Sequence, residues 1–66
     1  MNIKINGKDE VIETGSNLLE LIVNKSFQPE RIAVEHNARV LRKEEWQKVV
    51  LQEGDIIEII SFMGGG

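Results

Sequence analysis

The chain has no cysteine and no tyrosine, and only one proline (Pro29), one histidine (His36) and one tryptophan (Trp46) among its 66 residues. Each shortage closes a route. Without cysteine there is no disulfide, no thiolate metal site and no side-chain persulfide. A lone histidine outside any His-Glu-x-x-His spacing makes neither a zinc set nor a catalytic triad. None of Ser16, Ser26 and Ser61 stands in a Gly-x-Ser-x-Gly context. The aromatics are Phe27, Trp46 and Phe62, and 11 acidic residues outnumber 8 basic ones for a net charge of −3. Few stacking rings and no basic stripe argue against nucleic acid as a partner. No apolar run approaches a membrane span. The N-terminus alternates as a strand from Met1 to Ile5 instead of offering a signal peptide. The expectation is a cytoplasmic protein with no membrane partner and no internal catalytic constellation.

What is present is ordinary globular material: 41% hydrophobic residues, enough for one small domain. At this size folding buries only about 60% of the unfolded chain's surface, so packing must be good. Met1, Ile3 and Ile5 alternate with Asn2, Lys4 and Asn6, the pattern of a half-buried strand. Asn6-Gly7 is a strong hairpin signal, and Lys8 to Glu13 returns as a polar edge strand. After Thr14-Gly15, Ser16 or Asn17 caps a helix, Asn17 and Glu20 forming a capping-box pair. Leu18, Leu19, Leu21, Ile22 and Val23 give it a broad apolar face. Asn24-Lys25 ends it, Phe27 folds back on its last turn, and Pro29 forbids continuation. Ile32 to Asn37 reads as a third strand, Asn37-Ala38-Arg39 as a turn and Val40-Leu41 as a fourth strand. Arg42 to Trp46 reads as one helical or 3₁₀ turn pinned by Trp46. Val49 to Leu51 packs, and Glu53-Gly54-Asp55 turns the chain into a final strand at Ile56. A right-handed crossover helix after a hairpin returns the chain to the same sheet. The isoleucine-rich last strand is expected at its centre, parallel to the first. The predicted fold is α+β: a ubiquitin-like β-grasp, a mixed sheet of four to five strands with one main helix on one face.

The last eleven residues, Ile56 to Gly66, organise the rest. A strand runs into Gly64-Gly65-Gly66, giving a domain over 1–63 and a flexible glycine tail over 64–66. Glycine lets the backbone pass a slot too narrow for other residues, and the α-carboxylate of Gly66 arrives at its end. Taken alone, the glycines fit a frayed terminus or a cloning remnant better, and the rest of the chain has to shift the balance. Within the strand, Ile57, Ile59 and Ser61 point one way; Ile56, Glu58, Ile60 and Phe62 point the other. The Glu58 side is expected to face outward, because an unpaired buried carboxylate is costly. Ile60 and Phe62 then form either a docking patch or an ordinary scatter of surface apolar residues. His36 reads as a solvated or partly packed strand histidine.

Ile3-Lys4-Ile5-Asn6-Gly7-Lys8, Leu18-Leu19-Glu20-Leu21, Ala33-Val34-Glu35-His36-Asn37, Val40 to Trp46, Gly54 to Ile59 and Phe62 to Gly66 together resemble the ThiS family, the sulfur carriers of thiamine biosynthesis within the ubiquitin-like ThiS/MoaD group. The resemblance covers essentially the whole chain. The Arg-x-x-x-Trp stretch, the Glu-Ile-Ile-Ser-Phe-Met ending and the absence of a Pro-rich approach to the glycines favour the thiamine branch. The Arg42-Lys43 pair departs from the common Pro-Arg pattern. The resemblance implies a carrier that is not itself an enzyme and binds no cofactor. A ThiF-like adenylating enzyme consumes ATP to activate the Gly66 carboxylate, and a cysteine desulfurase-derived sulfur donor converts it to a thiocarboxylate. A ThiG-like thiazole synthase then takes the sulfur. Gly66 is the reacting end; Gly64, Gly65, Phe62, Ile60 and Glu58 meet partners; the free chain is a monomer. The alternatives are a molybdopterin-synthase-type or other ubiquitin-like sulfur carrier, or a non-carrier β-grasp binding module.

Overall fold

A computed structural model describes residues 1–62. Its strands are β1 (Asn2–Ile5), β2 (Lys8–Val11), β3 (Ile32–His36), β4 (Arg39–Leu41) and β5 (Ile56–Ser61). One helix, α1 (Leu18–Asn24), and two 3₁₀ segments, Pro29–Arg31 and Lys43–Lys48, complete the elements. The strands form one sheet in the order β2-β1-β5-β3-β4. β5 runs parallel to β1 and antiparallel to β3; the two outer pairs are antiparallel hairpins. The expected β-grasp is therefore the observed one, with the last strand at its centre.

Local chemistry explains each boundary. Asn6 (φ 51°) and Gly7 (φ 82°) take the left-handed pair that a two-residue hairpin needs. Asn17 caps α1: its side chain accepts from the Glu20 N–H at 2.8 Å, and Glu20 accepts in return from the Asn17 N–H at 2.9 Å. The other end closes as a Schellman motif, with Ser26 N–H donating to Val23 C=O and Phe27 N–H to Ile22 C=O. Ser26 accordingly stands at φ 64°, where glycine is the usual choice, and Phe27 packs back on the core as expected.

The inner face of the sheet (Ile3, Ile5, Ile32, Val34, Leu41, Ile57, Ile59) packs against Leu18, Leu21 and Ile22 of α1, with Trp46 and Leu51 closing the end of the core. The second 3₁₀ segment is the predicted Trp46 anchor. Two side chains assigned to packing positions lie in solvent instead. Val23 is exposed because a seven-residue helix presents only about two turns, and Leu18, Leu21 and Ile22 fill the stripe facing the sheet. Val50 is exposed because its backbone makes an isolated bridge to Asn17, which turns its side chain outward and leaves Leu51 to enter the core. β4 starts one residue earlier than expected, at Arg39, and β2 stops at Val11.

Candidate functional site: the outer face and exit of the last strand

β5 contains four isoleucines whose environments alternate with the pleat. Ile57 and Ile59 are 0% and 6% exposed, whereas Ile56 and Ile60 are 47% and 49% exposed. Phe62, just past the strand, is 55% exposed. The Glu58 side is thus the outer one, as expected. Antiparallel pairing sets Ala33 opposite Ile60 and Glu35 opposite Glu58, and Val40 of β4 stands opposite Glu35. On the β1 side Lys4 is in register with Ile56 and pairs with Asp9 at 2.9 Å. The result is an apolar strip of Ile56, Ile60 and Phe62, widened by Ala33 and Val40, with two half-buried glutamates in its middle.

The backbone is anchored up to the exit. Phe62 N–H donates to Arg31 C=O at 2.8 Å, extending the β3–β5 ladder one residue past the strand. The strand's first and fourth residues are held by side chains from the flanking hairpins. Asn37 accepts from Ile56 N–H at 2.8 Å, and Asn6 accepts from Ile59 N–H at 2.7 Å. Both asparagines have positive φ (50° and 51°), a conformation their short amide side chains tolerate. Each supplies an acceptor to a central-strand N–H that would otherwise lack one.

At the entry to β5 sits Asp55, the one buried charged side chain among the described residues. Its carboxylate accepts from Gln52 N–H at 2.8 Å and from Asn37 Nδ2 at 3.1 Å, and its Oδ2 lies 3.0 Å from His36 Nε2. Burial pushes the Asp55 carboxyl up. The Gln52 backbone donor, His36 and Asn37 outweigh it, so the group titrates below its ordinary 3.8. His36 is the partly packed strand histidine expected; its contact with Asp55 was not. The cluster is a structural clamp at the end of β5 opposite the exit. Gly54 (φ 85°) makes the turn that carries Asp55 into it, and its N–H bonds Asn2 C=O at 2.7 Å.

Of the residues singled out from sequence, Glu58, Ile60 and Phe62 share one face beside the exit. Gly64, Gly65 and Gly66 lie outside the described residues, as does Met63. Glu35 was missed as part of this face. Only the strand register brings it opposite Glu58. Among the described residues no group of three His, Cys, Asp or Glu side chains could hold a metal ion, and no helix is long and apolar enough to cross a membrane. An open groove between β2 and α1, crossed by the Lys25–Glu10 pair at 2.7 Å, lies across the fold from this site.

Known proteins match the chain along its whole length. The ThiS family model matches residues 2–66. The sulfur carrier protein ThiS of Bacillus subtilis is 33% identical, over 97% of this chain and 98% of that protein. The thiazole synthase of Magnetococcus marinus is 42% identical over all 66 residues, and the chain spans only about a fifth (20%) of its length. The crystal structure of the thiamine biosynthesis protein ThiS from Geobacter metallireducens superposes with a TM-score of 0.83 at 36% identity, each chain covered completely. The chain belongs to the ThiS family.

Proposed function

We propose that this chain is a sulfur carrier for thiamine biosynthesis, a protein co-substrate and not an enzyme, and that the transferred sulfur rides on the carbonyl of Gly66. The observation that carries the reading is the family match, which runs through the glycine end, joined to a β5 flanked by β1 and β3 and hydrogen-bonded on its β3 side as far as Phe62. A rigid strand fixes where the last segment starts, and four extended residues beyond Phe62 span at most ~14 Å. That reach, made of Met63 and three glycines, suits delivery of a terminus into a partner's site.

The chemistry follows from what a carboxylate lacks. It is a poor electrophile, so the Gly66 carboxylate first attacks the α-phosphate of ATP on a ThiF-like adenylating enzyme and pyrophosphate leaves. The acyl-adenylate then has AMP as leaving group. A persulfide on the sulfur donor, originating from a cysteine desulfurase, displaces AMP to give an acyl disulfide. A second thiol on the partner side then attacks its S–S bond, forming a disulfide with the donor and leaving a thiocarboxylate, which is anionic and nucleophilic. A thiazole synthase of the ThiG kind accepts the sulfur for the thiazole ring. The thiazole synthases that contain a region similar to this whole chain support that partnership. ATP belongs to the adenylating partner, and the carrier itself binds no cofactor. The cycle runs in the cytoplasm, and the free carrier is monomeric.

The test is intact mass after incubation with ATP, the adenylating enzyme and a sulfur source. The expected product gains the mass difference between sulfur and oxygen, all of it retained in the fragment containing Gly66. No mass change with a competent adenylating enzyme, or sulfur on a side chain, removes the reading. A chain extended beyond Gly66 should not be activated at all, because its α-carboxylate has moved.

A further inference from the structure

The outer face of β5 carries a feature that works against the isolated fold. Glu35 and Glu58 stand directly opposite each other on neighbouring antiparallel strands. Asn37 N–H to Ile56 C=O and Phe62 N–H to Arg31 C=O mark alternate rungs of the ladder. The Glu35–Glu58 pair therefore falls on a hydrogen-bonded rung, with Cβ atoms roughly 5.5 Å apart. Like charges so placed are destabilising. The ion pairs among the described residues occupy Asp9, Glu10, Glu30, Glu45 and Asp55, and none of them neutralises Glu35 or Glu58. Both carboxylates are half-buried within the strip of Ile56, Ile60, Ala33 and Val40.

A partner that covers this strip must take both carboxylates out of water, and two desolvated like charges are costly unless it supplies the counter-charge. A second copy of the chain presenting the same face would bring four glutamates together, so self-association is disfavoured. A planar guanidinium, with donors on two edges, suits two carboxylates better than a point-charge ammonium. We propose that the adenylating partner docks on this face with an arginine side chain seated between Glu35 and Glu58, its apolar surround closing on Ile60 and Phe62. This rests on the carrier reading above and adds the partner's chemistry to it. The face keeps a repulsive pair that costs the free carrier stability and selects for a cationic partner.

The experiment compares the parent chain with Glu35→Gln, Glu58→Gln and Glu58→Lys. Each is measured for Tm, for affinity to the adenylating enzyme at low and high salt, and for gain of sulfur by intact mass. The glutamine variants should melt about 2–5 °C higher, because the repulsion is gone. They should bind on the order of tenfold more weakly, with a shallower salt dependence. Glu58→Lys installs its own cation opposite Glu35. It should melt at least as high as the glutamine variants and lose on the order of 100-fold or more in affinity. Higher Tm with unchanged affinity would remove the guanidinium from the interface. A lower Tm in the glutamine variants would show that the pair is not repulsive, and dimerisation of the free chain through this face would replace the enzyme with a second copy. If the parent chain binds and is charged while the glutamine variants bind equally well, only this inference falls; if the parent chain is never charged, the carrier reading falls with it.

Discussion

The two faces of β5 are a comparison the molecule makes internally. Ile57 and Ile59 are sealed against α1; Ile56 and Ile60, the same residue type in the same strand, are half exposed. Composition and β-propensity cannot separate them, since only the parity of the pleat does. The inner pair contributes to stability, and the outer pair is available to a partner. The sharpest test is a matched pair of truncations. Ile57→Ala empties a fully buried position and should cost about 2–5 kcal/mol in unfolding free energy. Ile60→Ala should cost well under 1 kcal/mol, as exposed substitutions do. Chemical denaturation of both variants gives the numbers, and equal losses would erase the distinction between the faces.

Phe62 extends the outer face to the exit, with an effect read in a different measurement. Phe62→Ala should weaken the complex with the adenylating enzyme by about 1–3 kcal/mol, the range of an interface anchor. It should leave Tm nearly unchanged, because the ring is 55% exposed and the anchoring Phe62 N–H to Arg31 bond is made by the backbone. Calorimetric titration beside a melting curve separates the two. A large fall in Tm with unchanged affinity would put Phe62 in the core and reverse its assignment.

Much of this geometry was legible because the signals are local or periodic. Asn17 and Glu20 announce a capping box within four residues, Asn6-Gly7 a hairpin within two, and Glu58 identifies the outward face of an otherwise apolar strand. Strand order followed from chain connectivity: a hairpin, a crossover helix and a strand too apolar for an edge. Pairwise register was not legible. Glu35 meets Glu58, and His36 meets Asp55, only through pairings that join residues 23 and 19 positions apart. Asp55 read as a turn residue and is one, yet its side chain is buried. Val23 was misplaced because periodicity in so short a helix does not say how wide a stripe the sheet can cover. The proposed reacting end, Gly66, lies outside the described residues, and its assignment rests on the sequence and the family resemblance.

A second contrast runs along β5, between an entry clamped by polar groups and an exit bordered by apolar ones. Asp55 has its folded-state pKa lowered, so its contribution to stability is present above the unfolded value near 3.8 and is lost as pH falls through the lower folded value. The slope from one proton cannot exceed about 1.4 kcal/mol per pH unit. Asp55→Asn should lower stability at neutral pH by roughly 1–2 kcal/mol through loss of charge-assisted hydrogen bonds. It should also flatten the acid limb below pH 3.8 relative to the parent chain. Unfolding curves at stepped pH measure both. A steep acid limb surviving in the variant would assign it to other carboxylates. Affinity for the adenylating enzyme should stay close to the parent value, since the clamp lies at the strand end away from Phe62.

The smallest contrast is between the hairpins that flank β5. Each places an asparagine at positive φ whose side chain accepts a β5 N–H, so each fixes the central strand in the same way. They differ at the next position. The β1–β2 hairpin has Gly7 at φ 82°, whereas the β3–β4 hairpin has Ala38 at φ 71°. A left-handed backbone costs an L-residue with a Cβ about 1–2 kcal/mol, and glycine returns part of that through its freer unfolded chain, about 0.4–1 kcal/mol. Ala38→Gly should therefore stabilise the fold by about 0.5–1 kcal/mol, the difference between those terms. Gly7→Ala should destabilise it by a similar amount: a Cβ built there meets nothing within 4 Å, so the backbone alone decides the sign. Paired denaturation curves test the symmetry. If Ala38→Gly lowers stability while Gly7→Ala also lowers it, the turns are not equivalent, and the alanine side chain contributes a contact that outweighs its backbone strain.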